Sequence, residues 1–158
     1  MEDIMVTDTT THTHTGRVLA EGYGPGAWHG ADLKAAIDGI TPATAFWRPA
    51  PGRHNIAEIA LHHAYCARNV RAQITGVAAA PFVMDGDDWF NLPDERALPW
   101  DRVRATVDAE QSQLALAVAS GTTSPLSDED RFALVLGITG HAIYHAGQIQ
   151  LIKRLQEV

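Results

Sequence analysis

Cysteine is nearly absent: Cys66 stands alone among 158 residues. No disulfide can form within the chain, and a Cys-rich zinc site is excluded. Basic residues are scarce, with 12 Lys and Arg against 19 Asp and Glu and a formal charge of −7. A domain so acidic lacks the positive footprint that nucleic-acid binding needs. No apolar run approaches the ~20 residues of a membrane span. The first 30 residues show no basic stretch leading into an apolar one, so no signal peptide is expected. A cytoplasmic protein with neither nucleic-acid nor membrane partner follows. No segment alternates like a half-buried strand, and no internal repeat is visible. Apolar residues are plentiful, at 46% against 20% charged. That balance excludes a disordered chain and fills the core of one domain.

Residues 1–16 are rich in Thr, Asp and His without periodicity, which predicts a flexible N-terminal arm over 1–18 and a single domain over 19–158. The glycines of 22–26 form no phosphate loop, because no Gly-Lys-Ser/Thr closes the segment. Four helical segments are expected. The first runs from Asp32 to Ile40, with a short turn opened by Thr41 and Pro42. Asn55 and Glu58 resemble a capping box at the start of the second, whose stripe of Ile56, Ile59, Ala60, His63, Ala67 and Ile74 ends at Gly76. The third spans Asp101 to Ser120, with Val103, Val107, Leu114 and Val118 inward and Gly121 as its stop. Ser127 and Asp130 open the fourth, which reaches Leu155. Residues 77–100 hold no helix and are long enough to cross a bundle. The fold class is therefore all-α, a four-helix bundle with one long crossover between the second and third helices. Trp89, Phe90 and Trp100 sit in or beside that crossover without a stripe to bury them, and they are read as an interface of a homodimer.

Among eight histidines, His141 and His145 are the informative pair. Residues four apart lie one above the other on a helix, so two imidazoles can share one ion. They fall on a stripe with Leu134, Gly137, Ile138, Gln148, Ile152 and Leu155, which predicts that both face the bundle interior. Ala142 stands where a zincin motif needs Glu. Catalytic metal sites usually have three protein ligands and an open position. The second helix offers His62 or His63 as the third. Periodicity puts His63 nearer the centre of the stripe and His62 at its edge beside Glu58 and Cys66. Spacing leaves the choice open. Cys66 reads as a ligand or as a small buried apolar residue, and Glu58 as a carboxylate behind the site or as a cap. Asp85 to Asp88 resemble the start of a calcium loop, but Arg96 stands where its closing Glu belongs.

The stretches His54 to His62 and His141 to Ile149, the latter an H-x-x-x-H-x-G-Q-I pattern, resemble motifs of the DinB/YfiT-like superfamily. Ala27 to Gly30 and Arg48 to Gly52 are similar to one of its subgroups. The resemblance implies a four-helix bundle holding one divalent ion through His62, His141 and His145. His63 stands where the family has an apolar residue, and its loss is expected to weaken binding little. Imidazole suits nickel or zinc. Characterised relatives include thiol-dependent transferases and isomerases. The resemblance thus implies a metal-dependent enzyme, a thiol transferase or a hydrolase, acting on a small molecule with a low-molecular-weight thiol as co-substrate. A non-catalytic metal-binding or stress-response bundle is the alternative. His29, Glu58, Cys66, Tyr144 and Gln148 are candidate pocket residues, and no catalytic residue is assigned.

Overall fold

The computed structural model describes residues 9–120 and 123–157. Among them there is no strand, and six helices appear: α1 (Thr9–Gly22), α2 (Leu33–Ile37), α3 (Pro42–Phe46), α4 (Ile56–Thr75), α5 (Trp100–Ala119) and α6 (Asp128–Leu155). The long helices α1, α4, α5 and α6 form the bundle. Helix α4 packs on α5 and α6, and α1 packs on the same two from the other side.

The sequence signals that hold are local ones. Asn55 accepts from the Glu58 amide while the Glu58 carboxylate reaches back to the Asn55 amide, which completes the capping box of α4. Gly76 closes that helix in the left-handed conformation, at φ 70°. Asp32, Thr41 and Ser127 cap α2, α3 and α6 through their side chains. Gly121, expected to stop the third long helix, lies outside the described residues; Ser120 is the C-cap of α5.

The first bundle helix is not where periodicity places it. Asp32 to Ile40 supplies only one turn, α2, and the long first helix begins at Thr9 within the segment read as an arm. Residues 1–8 of that segment lie outside the described residues. The face that α1 buries carries Thr15, Leu19 and Gly22, only one of them a large apolar residue, so no apolar stripe marks it. Gly22 is there for closeness. A Cβ on it would stand 3.0 Å from Ala142 Cβ and 3.2 Å from the Thr139 carbonyl oxygen. Gly22→Val is therefore expected to cost ~1–3 kcal/mol by overpacking. Gly140 on α6 is exposed, with nothing within 4 Å of a built Cβ. Gly140→Ala should stabilise by ~0.5–1 kcal/mol by stiffening the unfolded chain. Denaturant midpoints of the two variants check both signs.

The crossover, residues 77–99, is tied down rather than loose. The Asn55 side chain donates to the Leu92 carbonyl at 2.7 Å, and the Leu92 amide donates to Glu58 at 3.0 Å. Tyr65 donates to Asp87, and Arg68 to the Ala80 carbonyl. Phe90, Leu92, Leu98 and Trp100 are buried in the core, and the Trp100 indole donates to the Ile40 carbonyl at 3.2 Å. The aromatics read as a dimer interface are thus covered within one chain: Phe90 and Trp100 lie in the core and Trp89 packs against it. They lend a second copy no argument.

Two apolar clusters fill the bundle. One gathers Ala60, Val107 and Ala142 with the crossover, and the other gathers Ala67, Leu114 and Ile138. On α4, α5 and α6 those residues flank His63, Gln111 and His141. A polar layer therefore crosses the bundle where one cluster gives way to the other.

Candidate metal centre

Every residue of α4 from Ile56 to Ala64 is buried, because α3 and the crossover cover the face that the bundle leaves open. A stripe-edge residue there is inside all the same. His62 is 6% exposed and His63 1%. On α6 the buried face runs through Val135, Ile138, Ala142, His145, Ala146 and Ile149. This corrects the stripe drawn from sequence. His145 is buried, His141 and Gln148 are half-buried, and Gly137 and Leu155 are exposed. Leu136 and Leu151 also stand exposed on α6; with leucines on several sides, periodicity could not fix its inner face.

Three imidazole nitrogens converge. Nε2 of His141 lies 3.0 Å from Nε2 of His62 and 3.1 Å from Nε2 of His145. The opposite nitrogen of each ring has its own partner. His62 Nδ1 donates to the Asp88 carbonyl at 2.8 Å, and His145 Nδ1 donates to Gln148 Oε1 at 2.6 Å. An oxygen acceptor at Nδ1 fixes the tautomer of a neutral imidazole, so Nε2 of both rings carries a lone pair. His141 Nδ1 faces His63 Nδ1 at 3.1 Å. Burial, followed by the neighbouring histidines, pushes the His141 imidazole down to about 3. Burial also lowers His145. For His63, burial outweighs the Gln111 hydrogen bond and takes the ring to about 4. These three rings are neutral at neutral pH, the form in which an imidazole binds a cation.

Cys66 adds a softer atom. Its Sγ lies 3.9 Å from His62 Nε2 and 3.9 Å from Asp88 Oδ1. One atom each from His62, Cys66 and His141 lie within 4.8 Å of one another, a group that could hold a metal ion. Burial, and then the Asp88 carboxylate, raise the Cys66 thiol to about 11, so it stays protonated at neutral pH.

Of the five pocket candidates, Cys66, Gln148 and Tyr144 touch the site histidines. Tyr144 is exposed, sets its ring edge against His145 and accepts from Gln148 Nε2 at 3.2 Å. His29 is drawn instead to the Glu21 carbonyl at 2.7 Å. Glu58 is a structural hub: it takes a bidentate pair from Arg48, with distances of 2.6 and 2.9 Å, and contacts His54 Nδ1 at 2.9 Å. Its reach to the site is indirect. His54 stacks on Trp89 at 3.8 Å, and Trp89 stacks on His62 at 3.9 Å.

Three residues at the site escaped the sequence reading. Trp89 walls His62, and Asp88 turns its carbonyl toward His62 from a left-handed backbone, at φ 66°. The crossover marks them only as an aromatic without a stripe and as part of an acidic run, neither of which points to the histidines. Gln111 lay open to discovery, since it falls on the stripe of Val107 and Leu114 as a polar residue on an apolar face.

An open groove of about 230 Å³ lies between α4 and α6, lined by Cys66, Val70, Leu134, Gly137, Ile138 and His141. Its lining is apolar except where Cys66 and His141 meet it. None of the described helices is long and apolar enough to cross a membrane.

A family model for the DinB superfamily matches residues 27–149. No curated protein matches the chain. No solved structure matches it either.

Proposed function

The chain belongs to the DinB superfamily, and from that premise we propose that it is a metal-dependent enzyme holding one divalent ion on His62, His141 and His145. The convergence of three Nε2 atoms at 3.0 and 3.1 Å, two with their lone pairs fixed by oxygen acceptors, carries this reading. Lone pairs aimed at one another repel, a cost that a bound cation removes. The donor set fits a divalent ion of the nickel or zinc class. His145 suits the third position better than Cys66. Its Nε2 lies 3.1 Å from His141 Nε2 with the ring oriented by Gln148, whereas Cys66 Sγ lies farther off, 3.9 Å from His62 Nε2.

Such an ion supplies Lewis-acid chemistry and lowers the pKa of a water or thiol bound to it. The protein's own contributions are shape and orientation. Asp88 and Gln148 hold two rings in the required tautomer, and Trp89 walls one side of His62. The groove beside Cys66 and His141 gives the site an approach from solvent along apolar side chains, which suits a small molecule with an apolar body.

Elemental analysis of untagged protein should find about one nickel or zinc per chain, retained through gel filtration. A panel of low-molecular-weight thiols with small electrophiles should then show turnover that a chelator removes. Metal without turnover would support the non-catalytic bundle, and absence of metal with no uptake on titration would refute both.

A further inference from the structure

His63 has no place in the proposed ligand set, yet it is the most deeply buried histidine of the cluster. A buried polar ring needs partners, and both its nitrogens have one. Nε2 lies 3.2 Å from Gln111 Oε1, and Nδ1 lies 3.1 Å from Nδ1 of His141. An amide oxygen only accepts, so the proton of the neutral His63 ring sits on Nε2. Its Nδ1 then offers a lone pair. Contact with His141 requires that His141 carry its own proton on Nδ1, which leaves His141 Nε2 bare between His62 and His145.

We infer that Gln111 and His63 form a relay, running from α5 through α4 to α6, that locks His141 in the tautomer a metal ion requires. His63 and Gln111 are positioning residues and touch no ion themselves. A loop carbonyl and a neighbouring amide serve His62 and His145. His141 Nδ1 instead faces His63 on α4, so its partner is a core residue, which in turn is fixed by another from α5. With the relay reversed, the His141 proton would sit on Nε2, inside the triangle, and exclude the cation. His63 stands where the family has an apolar residue, which made its loss look harmless to binding; its contacts with Gln111 and His141 reverse that expectation. The consequence for metal rests on the proposed metal site, whereas the tautomers do not.

Long-range proton–nitrogen spectra of the metal-free protein read the tautomers directly, and zinc titrations read their effect. The expected result is a proton on Nε2 of His63 and on Nδ1 of His141. Gln111→Leu should weaken zinc binding by about 10–100-fold, the usual cost of losing a partner that orients a ligand. Gln111→Glu keeps an acceptor and should bind within a few-fold of the parent. Adding His63→Leu to Gln111→Leu removes the stranded ring and restores an apolar core. Affinity should stay low in that double variant, whereas a merely structural role would let it recover. A proton on Nδ1 of His63 in the parent, or parental affinity in Gln111→Leu, would overturn the relay. If the tautomers are as stated and no zinc binds at all, the relay stands and the metal reading falls.

Discussion

Replacing His145 with alanine is expected to abolish tight divalent-metal binding while leaving a folded bundle. Three ligands are the usual minimum at a catalytic site, so removal of one leaves a weak two-histidine pair. The loss should exceed the roughly 10–100-fold attached to an orienting partner. His141→Ala and His62→Ala should match it. His145 is nearly buried, but its neighbours Ala142, Ala146 and Ile149 complete the packing around it. The metal-free variant should therefore keep its helical circular dichroism. Zinc affinity by competition with a chromophoric chelator, beside a thermal melt of the metal-free protein, separates a lost ligand from a lost fold. Retention of parental affinity in His145→Ala would remove it from the ligand set.

Glu58→Ala is expected to be the most destabilising of the single changes considered, by ~3–5 kcal/mol, because it strands a partly buried charge and several donors at once. The carboxylate receives Arg48 in a bidentate pair, the amide of Leu92 and the amide of Asn55. Its loss unties the crossover from α4 and opens the capping box. For a domain of this size the melting temperature should fall by roughly 6–20 °C. The pH dependence gives an independent check. Burial alone would raise the Glu58 pKa, but the hydrogen bonds from Arg48, His54 and Leu92 outweigh it and bring the group below its ordinary 4.5. A depressed acid contributes stability that is complete above the unfolded value and is lost as pH falls through the folded one. The gap between parent and variant should thus be widest near neutrality and narrow below about pH 4.5. A gap that does not change with pH would mean that the carboxylate charge is not what matters.

The parts of this molecule legible in its sequence are those set by short-range chemistry. Asn55 and Glu58 mark the start of α4 because a cap is decided within four residues, and Gly76 marks its end for the same reason. The i,i+4 spacing of His141 and His145 likewise survives folding, since helix geometry alone brings the rings together. What failed to show depends on other elements. α1 buries threonine and glycine against α6, so its inner face has no apolar signature. The choice between His62 and His63 looked like a question of which was buried. Both are, because the crossover closes over α4, and they differ instead in what each nitrogen faces. Trp89 and Asp88 join the site through the fold of a segment without periodicity. Gln111 was visible as a polar residue on an apolar stripe, but its partner lies 48 positions away.

X-ray absorption at the zinc edge of the stoichiometrically loaded protein tests the central claim most directly. Three imidazole nitrogens should appear at about 2.0–2.1 Å, with no sulfur near 2.3 Å. A sulfur scatterer at that distance would put Cys66 in the place of His145, and fewer than three imidazoles would contradict the three-histidine centre.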